Sequence, residues 1–289
     1  MYPMRPAAFD YHRPTSVDEA ISLLGDIDGA RALAGGHSLL PMMKIRLVMP
    51  AALVDLGRIP GLDGISKNGG LTIGALARHA SVAASSVVQQ ECPVLAEAAA
   101  VIGDRQVRNC GTIGGSVAHA DPAADYPTVL TALDATITAR GKNGEREIAA
   151  DDFFQGFFET ALGLGELVTS VTVPSIPAGT GAAYVKHRHP ASSYAVVGVA
   201  AVLSVEGGTC TRARLAIGGV TAPPVDATAA AEALVGSPGS KEAIAAAAEK
   251  VPASLGEVTG DVYASGEYRT HLAKVLAARA LAAAFARAA

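Results

Sequence analysis

The chain has 289 residues, half of them apolar and 17% charged, with a formal net charge of −4. That composition fits a soluble globular protein and lacks the cationic excess of a nucleic-acid binder. Its three cysteines, Cys92, Cys110 and Cys210, are too few for a disulfide framework and lack zinc or iron–sulfur spacing, so a self-contained metalloprotein is excluded and a reducing compartment expected.

The first fourteen residues mix Tyr, Arg, Asp, His and three prolines and hold no signal-peptide core. Ser16-Val17-Asp18-Glu19 has the form of a capping box, with Val17, Ala20, Ile21 and Leu24 on one helical face and Gly25 as the expected stop. An extended run, Arg31 to Ala34, leads into Gly35-Gly36-His37-Ser38 and then a helix start at Leu39 to Lys44. Strands are expected at Leu53–Leu56 and Leu71–Ala75, and a helix from about Pro93 to Ile102. A second glycine cluster, Gly111 to Ser116, runs into Val117 to Pro127, where Pro122 and Pro127 favour an ordered loop or a helix start over a strand. Leu167 to Pro174 alternates apolar and hydroxyl residues and reads as a strand, and Pro174 to Gly181 is the best linker. Strand-like runs follow at Ala182–His187, Tyr194–Val205 and Arg212–Gly218, the second too short to span a membrane, which takes about 20 residues. Two alanine-rich helices close the chain. The last, from about Glu267, is expected to turn Tyr268, Leu272, Val275 and Leu276 inward, with Lys274, Arg279 and Arg287 complementing its C-terminal dipole. The picture is α+β, divided near residue 177.

The two glycine clusters hold the chemical interest. Glycines let a ligand approach backbone N–H groups closely, and successive N–H groups form anion-binding nests. Either cluster alone signals no more than a tight connection. Together, with no basic residue inside them, they suit a pyrophosphate held by backbone donors. The Rossmann and P-loop signatures are absent.

The two segments, Ala34-Gly35-Gly36-His37-Ser38-Leu39-Leu40-Pro41-Met42-Met43-Lys44 and Thr112-Ile113-Gly114-Gly115-Ser116 followed by Asp121-Pro122-Ala123-Ala124-Asp125, resemble the paired signature of the FAD-binding medium subunit of molybdenum hydroxylases. This family includes carbon monoxide dehydrogenase and xanthine dehydrogenase. The resemblance runs from Phe9-Asp10-Tyr11-His12-Arg13-Pro14 to Glu267-Tyr268-Arg269-Thr270-His271-Leu272, essentially the whole chain.

The resemblance implies a two-part FAD-binding domain of the vanillyl-alcohol-oxidase (PCMH) type over residues 1–176, with subdomains of about 1–56 and 57–176. A smaller α/β C-terminal domain would follow over 177–289. It further implies that Leu33, Ala34, Gly35, Gly36, His37, Ser38 and Leu39, with Thr112, Ile113, Gly114, Gly115 and Ser116, clamp the diphosphate of non-covalent FAD through backbone N–H groups. Asp125 would accept from ribose hydroxyls, Ile102 and Val168 would line the cofactor, and Lys186 and Tyr194 would lie near the flavin ring. Ser116 departs from the family's usual Asn and loses an amide donor and reach.

Plainer roles stand beside these. His37 and His119 also suit turn caps, Asp121 and Asp125 helix or loop caps, Lys186 a solvated basic edge, and Cys110 a small filler.

No catalytic or metal-ligating set is evident in the chain. By resemblance, a large subunit carries the molybdenum cofactor and a small one carries [2Fe–2S] clusters, while this chain passes electrons through FAD to NAD, oxygen or a quinone. The complex would be a cytoplasmic dimer of heterotrimers acting on carbon monoxide, an aldehyde or an N-heterocycle. A stand-alone flavin oxidase and a non-enzymatic scaffold subunit are the alternatives.

Overall fold

A computed structural model describes residues 4–288. Strands Asp10–His12, Ala30–Leu33 and Ala52–Asp55 form a parallel sheet with Ala52–Asp55 at its centre. The helix Val17–Asp26 connects the first two of them. Its Ser16 cap accepts the Glu19 N–H, while the Glu19 carboxylate reaches back to the Thr15 N–H at 2.8 Å. Gly25 is not the stop: the helix continues to Asp26, and Gly29 takes the left-handed conformation (φ 72°) that turns the chain into the next strand.

A second, five-stranded antiparallel sheet has the order Ile65–Lys67, Gly70–Gly74, Leu167–Pro174, Thr136–Gly141 and Gly144–Ala149. Helices Pro93–Ala100, Ile113–His119 and Asp125–Ala132 share its core, around Ile73, Leu95, Ile113, Leu130, Ile137 and Val171.

The third sheet is antiparallel, ordered Thr180–Arg188, Ala195–Glu206, Thr209–Gly218 and Val225–Asp226. Its central strand is apolar almost throughout because both faces are covered. Val199, Ala201 and Leu203 meet the C-terminal helix Gly266–Ala288, while Ala200 joins the core shared with the five-stranded sheet.

The C-terminal helix buries Leu272, Ala273, Leu276, Ala277, Ala280, Leu281 and Ala284. Tyr268, expected inward, is exposed, and its neighbour Arg269 is buried instead. The Arg269 guanidinium donates to the Val196 and Gly219 carbonyls at 2.6 Å and to Asp261 at 2.5 Å, so its charge and donors are matched. Two of the cations expected to answer the helix dipole have other partners. Lys274 pairs with Glu249, and Arg287 binds Glu97 and the Ala182 carbonyl. Among the described residues, no helix is long and apolar enough to cross a membrane.

Candidate functional site

The fold brings the two glycine segments into contact. The first leaves the end of strand Ala30–Leu33 and enters the short helix Leu39–Lys44. Gly35 lies directly on the backbone of Cys110 and Gly111, where an added Cβ would stand 2.2 Å from the Cys110 carbonyl oxygen. Gly115, in the second segment, is exposed and faces Ala34. Gly36 is left-handed (φ 70°), which turns the chain toward Ser38.

The segments differ in what they offer a ligand. Among the described residues, the N–H groups of Gly35, Gly36, His37, Ser38 and Leu39 have no protein acceptor. Five consecutive free donors at a bend make an anion nest, and groups left unbonded in this way are sites for ligand or water. The second segment has spent its donors. The N–H of Ile113 goes to the Ala77 carbonyl, that of Gly114 to Ala75, that of Gly115 to Thr112 Oγ1 and that of Ser116 to the Thr112 carbonyl. Of this segment's N–H groups, only that of Thr112 lacks an acceptor among the described residues.

The N–H groups of Ile113, Gly114, Gly115 and Ser116, expected to clamp the diphosphate, have protein acceptors in the structure instead. The segment is the first turn of the helix Ile113–His119, capped by Thr112. Ile113 is fully buried in the core, and Gly114 is glycine because an added Cβ would lie 2.4 Å from the Ala75 Cβ. Val168, expected to line the cofactor, is also a core side chain. Ile102 is partly buried at the edge of that core.

His79 supports the junction. Its backbone N–H donates to the Gly111 carbonyl, and its Nε2 lies beneath Gly111 at a place where a Cβ would approach within 2.6 Å. Burial, helped by His37 and Arg108, pushes its pKa down to about 4, so the ring is neutral at pH 7. The ring lies tilted against buried Tyr126, centroids 5.4 Å apart, and among the described residues His79 Nδ1 and the Tyr126 hydroxyl have no hydrogen-bond partner. Nothing in the sequence around His79 marks it; only the fold places it under the glycine junction.

Asp125 and Lys186 are brought together, 2.8 Å apart and both nearly inaccessible. Asp125 also accepts from the Tyr184 hydroxyl at 2.7 Å. The Lys186 ammonium has three protein acceptors: Asp125, the Val101 carbonyl at 3.0 Å and the Ser193 carbonyl at 2.8 Å. Burial pushes the Asp125 carboxyl up and the Lys186 ammonium down, and each charge opposes the other's shift. The solvated basic edge suggested for Lys186 is thus replaced by a buried ion pair joining helix Asp125–Ala132 to strand Thr180–Arg188. Asp121 closes a local turn through the Ala123 N–H.

Tyr194, contributed by the third sheet, reaches the first glycine segment. Its phenol is half-exposed beside Ser38 and Asp121; burial and then Asp121 raise its pKa, and a hydrogen bond with Ser38 opposes them. His37 is exposed, with Nδ1 2.8 Å from the Gly35 carbonyl, and His119 packs tilted against Phe158 at 4.9 Å. Ala34 and Leu33 flank the nest on its strand side. Five free donors, a close backbone approach and an aromatic ring at the rim fit the diphosphate and ring of a dinucleotide such as FAD. Among the described residues, no group of three His, Cys, Asp or Glu side chains could hold a metal.

Comparison with known proteins agrees with this geometry. Residues 7–176 match the family described as FAD binding domain in molybdopterin dehydrogenase, and residues 182–284 match the CO dehydrogenase flavoprotein C-terminal domain. The carbon monoxide dehydrogenase medium chain of Hydrogenophaga pseudoflava is 41% identical, with 98% of this chain and 99% of that one covered. The 6-hydroxypseudooxynicotine dehydrogenase complex subunit alpha of Paenarthrobacter nicotinovorans is also 41% identical, with 99% and 97% covered. Among solved structures, quinoline 2-oxidoreductase from Pseudomonas putida 86 superposes with a TM-score of 0.94 at 37% identity, covering 98% of this chain and 99% of that one. The chain belongs to the FAD-binding medium-subunit family of molybdopterin dehydrogenases and is an oxidoreductase subunit of the carbon monoxide and xanthine dehydrogenase type.

Proposed function

We propose that this chain holds non-covalent FAD with its diphosphate on the N–H groups of Gly35 to Leu39 and serves as the electron-transfer stage of a larger complex. The observation that carries this reading is the run of five consecutive backbone donors without acceptors. The Thr112 N–H adds a sixth from the facing segment. Ile102 and Tyr194 would line and cover the isoalloxazine ring. FAD would supply the redox chemistry that this chain's side chains lack, accepting electrons singly from a partner and yielding them to an external acceptor.

The partners proposed are a large subunit with the molybdenum cofactor and a small subunit with [2Fe–2S] clusters, in a cytoplasmic dimer of heterotrimers. The division of the chain is taken as 1–176 for the FAD-binding domain and 177–289 for the C-terminal domain. The complex's substrate would be carbon monoxide, an aldehyde or an N-heterocycle and would be chosen on the large subunit. Two relatives at the same 41% identity carry names with different substrates, which supports a medium chain that does not itself select one. Purification through a tag on this chain tests the reading. The expected product is yellow, absorbs near 450 nm, releases its flavin into the acid supernatant and brings two further subunits. A colourless product that takes up no added FAD contradicts it.

A further inference from the structure

Lys186 and Arg188 stand two residues apart on strand Thr180–Arg188 and so project to one face of the sheet. Between them they grip the same two stretches of chain. Lys186 donates to the Val101 carbonyl at 3.0 Å, and Arg188 reaches the Gly103 carbonyl at 3.5 Å, one on each side of Ile102. Lys186 also donates to the Ser193 carbonyl, and Arg188 to the Ser193 hydroxyl. Ser193 immediately precedes Tyr194.

The backbone at Ser193 needs such a grip. Its φ is +66°, a left-handed conformation that a non-glycine residue rarely adopts. The Ser193 N–H is also engaged, with the His189 carbonyl at 2.9 Å, and the His189 N–H closes the hairpin on the Tyr194 carbonyl at 2.8 Å. All three polar groups of Ser193 are therefore held, two of them by cations from the neighbouring strand. Strain kept in place by surrounding contacts at the rim of a site is a mark of a positioned element.

We propose that Lys186 and Arg188 are positioning residues whose shared grip on the carbonyls flanking Ile102 and on Ser193 sets the placement of Tyr194 against the flavin ring. The inference rests on the FAD reading above and adds Arg188 and Ser193 to the site. Without Arg188, the serine loses its side-chain partner and can relax out of the left-handed region. The tyrosine then swings away while the diphosphate nest at Gly35 to Leu39 is untouched.

The test uses complexes purified through a tag on the full chain: wild type, Arg188→Met, Ser193→Ala, Tyr194→Leu and the Arg188→Met/Tyr194→Leu double variant. Flavin per chain and flavin fluorescence are the readouts, because an electron-rich phenol against the ring quenches its emission. Arg188→Met is expected to keep its flavin and raise its fluorescence several-fold, matching Tyr194→Leu, with no further rise in the double variant. Ser193→Ala, which removes only the hydroxyl, should give a smaller rise and serves if the arginine variant does not fold. A flavin-loaded Arg188→Met or Ser193→Ala complex as dim as wild type overturns this proposal and leaves the FAD reading standing. A wild-type complex that carries no flavin and accepts none overturns both.

Discussion

The two glycine segments look alike in sequence and are used in opposite ways. Gly35 to Leu39 keeps five N–H groups free, whereas Ile113 to Ser116 has given all of its own to Ala75, Ala77 and Thr112. One is a bend whose donors are open to a ligand; the other is a helix start pressed into the core, where Gly114 lets the helix approach Ala75. Composition cannot separate the two cases. The location of each segment's hydrogen-bond acceptors decides which can bind an anion.

The largest effects should separate the segments by phenotype. Gly114→Ala forces a Cβ against Ala75 and should cost about 3 kcal/mol in urea unfolding, while the folded fraction binds FAD as before. Gly35→Ala drives a Cβ into the Cys110 carbonyl and should lose similar stability together with flavin affinity. Equal flavin loss in both variants would break the distinction.

His79 lies under both segments and gives the next effect. Its pKa is 6.5 in the unfolded chain and about 4 in the folded one, so the folded state binds the proton less readily. Stability should therefore fall as pH drops from about 6.5 to about 4, by about 3 kcal/mol, and this contribution should level off below that. Unfolding midpoints across this range measure it, and His79→Leu should flatten that part of the profile.

A smaller effect is expected at Gly36. Alanine there must adopt φ near 70° and should lose about 1–2 kcal/mol of stability, with weaker FAD binding in a titration because the nest is redirected. Ser116→Asn, which restores the family's usual residue, should change flavin affinity least, by under about 1 kcal/mol. The Ser116 N–H already serves the Thr112 carbonyl, and among the described residues its side chain makes no protein hydrogen bond.

Periodicity and punctuation made much of the fold legible. Leu167–Pro174 has the same bounds in the structure as in the sequence reading, and the apolar run at Ala195–Glu206 is continuous because helices cover both sheet faces. The Ser16 cap was equally plain from its spacing. The inward face of the last helix was less so, since Arg269 is buried only because two distant carbonyls and Asp261 converge on it. In the site, the motif located both glycine segments but could not show which amides were already bonded. Two of those bonds, from Ile113 and Gly114, run to Ala77 and Ala75, more than thirty residues away. The Asp125–Lys186 pair spans sixty-one residues, and His79 and Ser193 sit in stretches with no local signal, so their roles follow from tertiary placement alone.

Amide hydrogen exchange of the full chain, with and without FAD, tests the central claim most directly. The amides of Gly35 to Leu39 should exchange fast without flavin and become protected on its addition, while those of Ile113 to Ser116 should be slow in both states. Protection gained at Ile113 to Ser116, with Gly35 to Leu39 unchanged, would contradict the account.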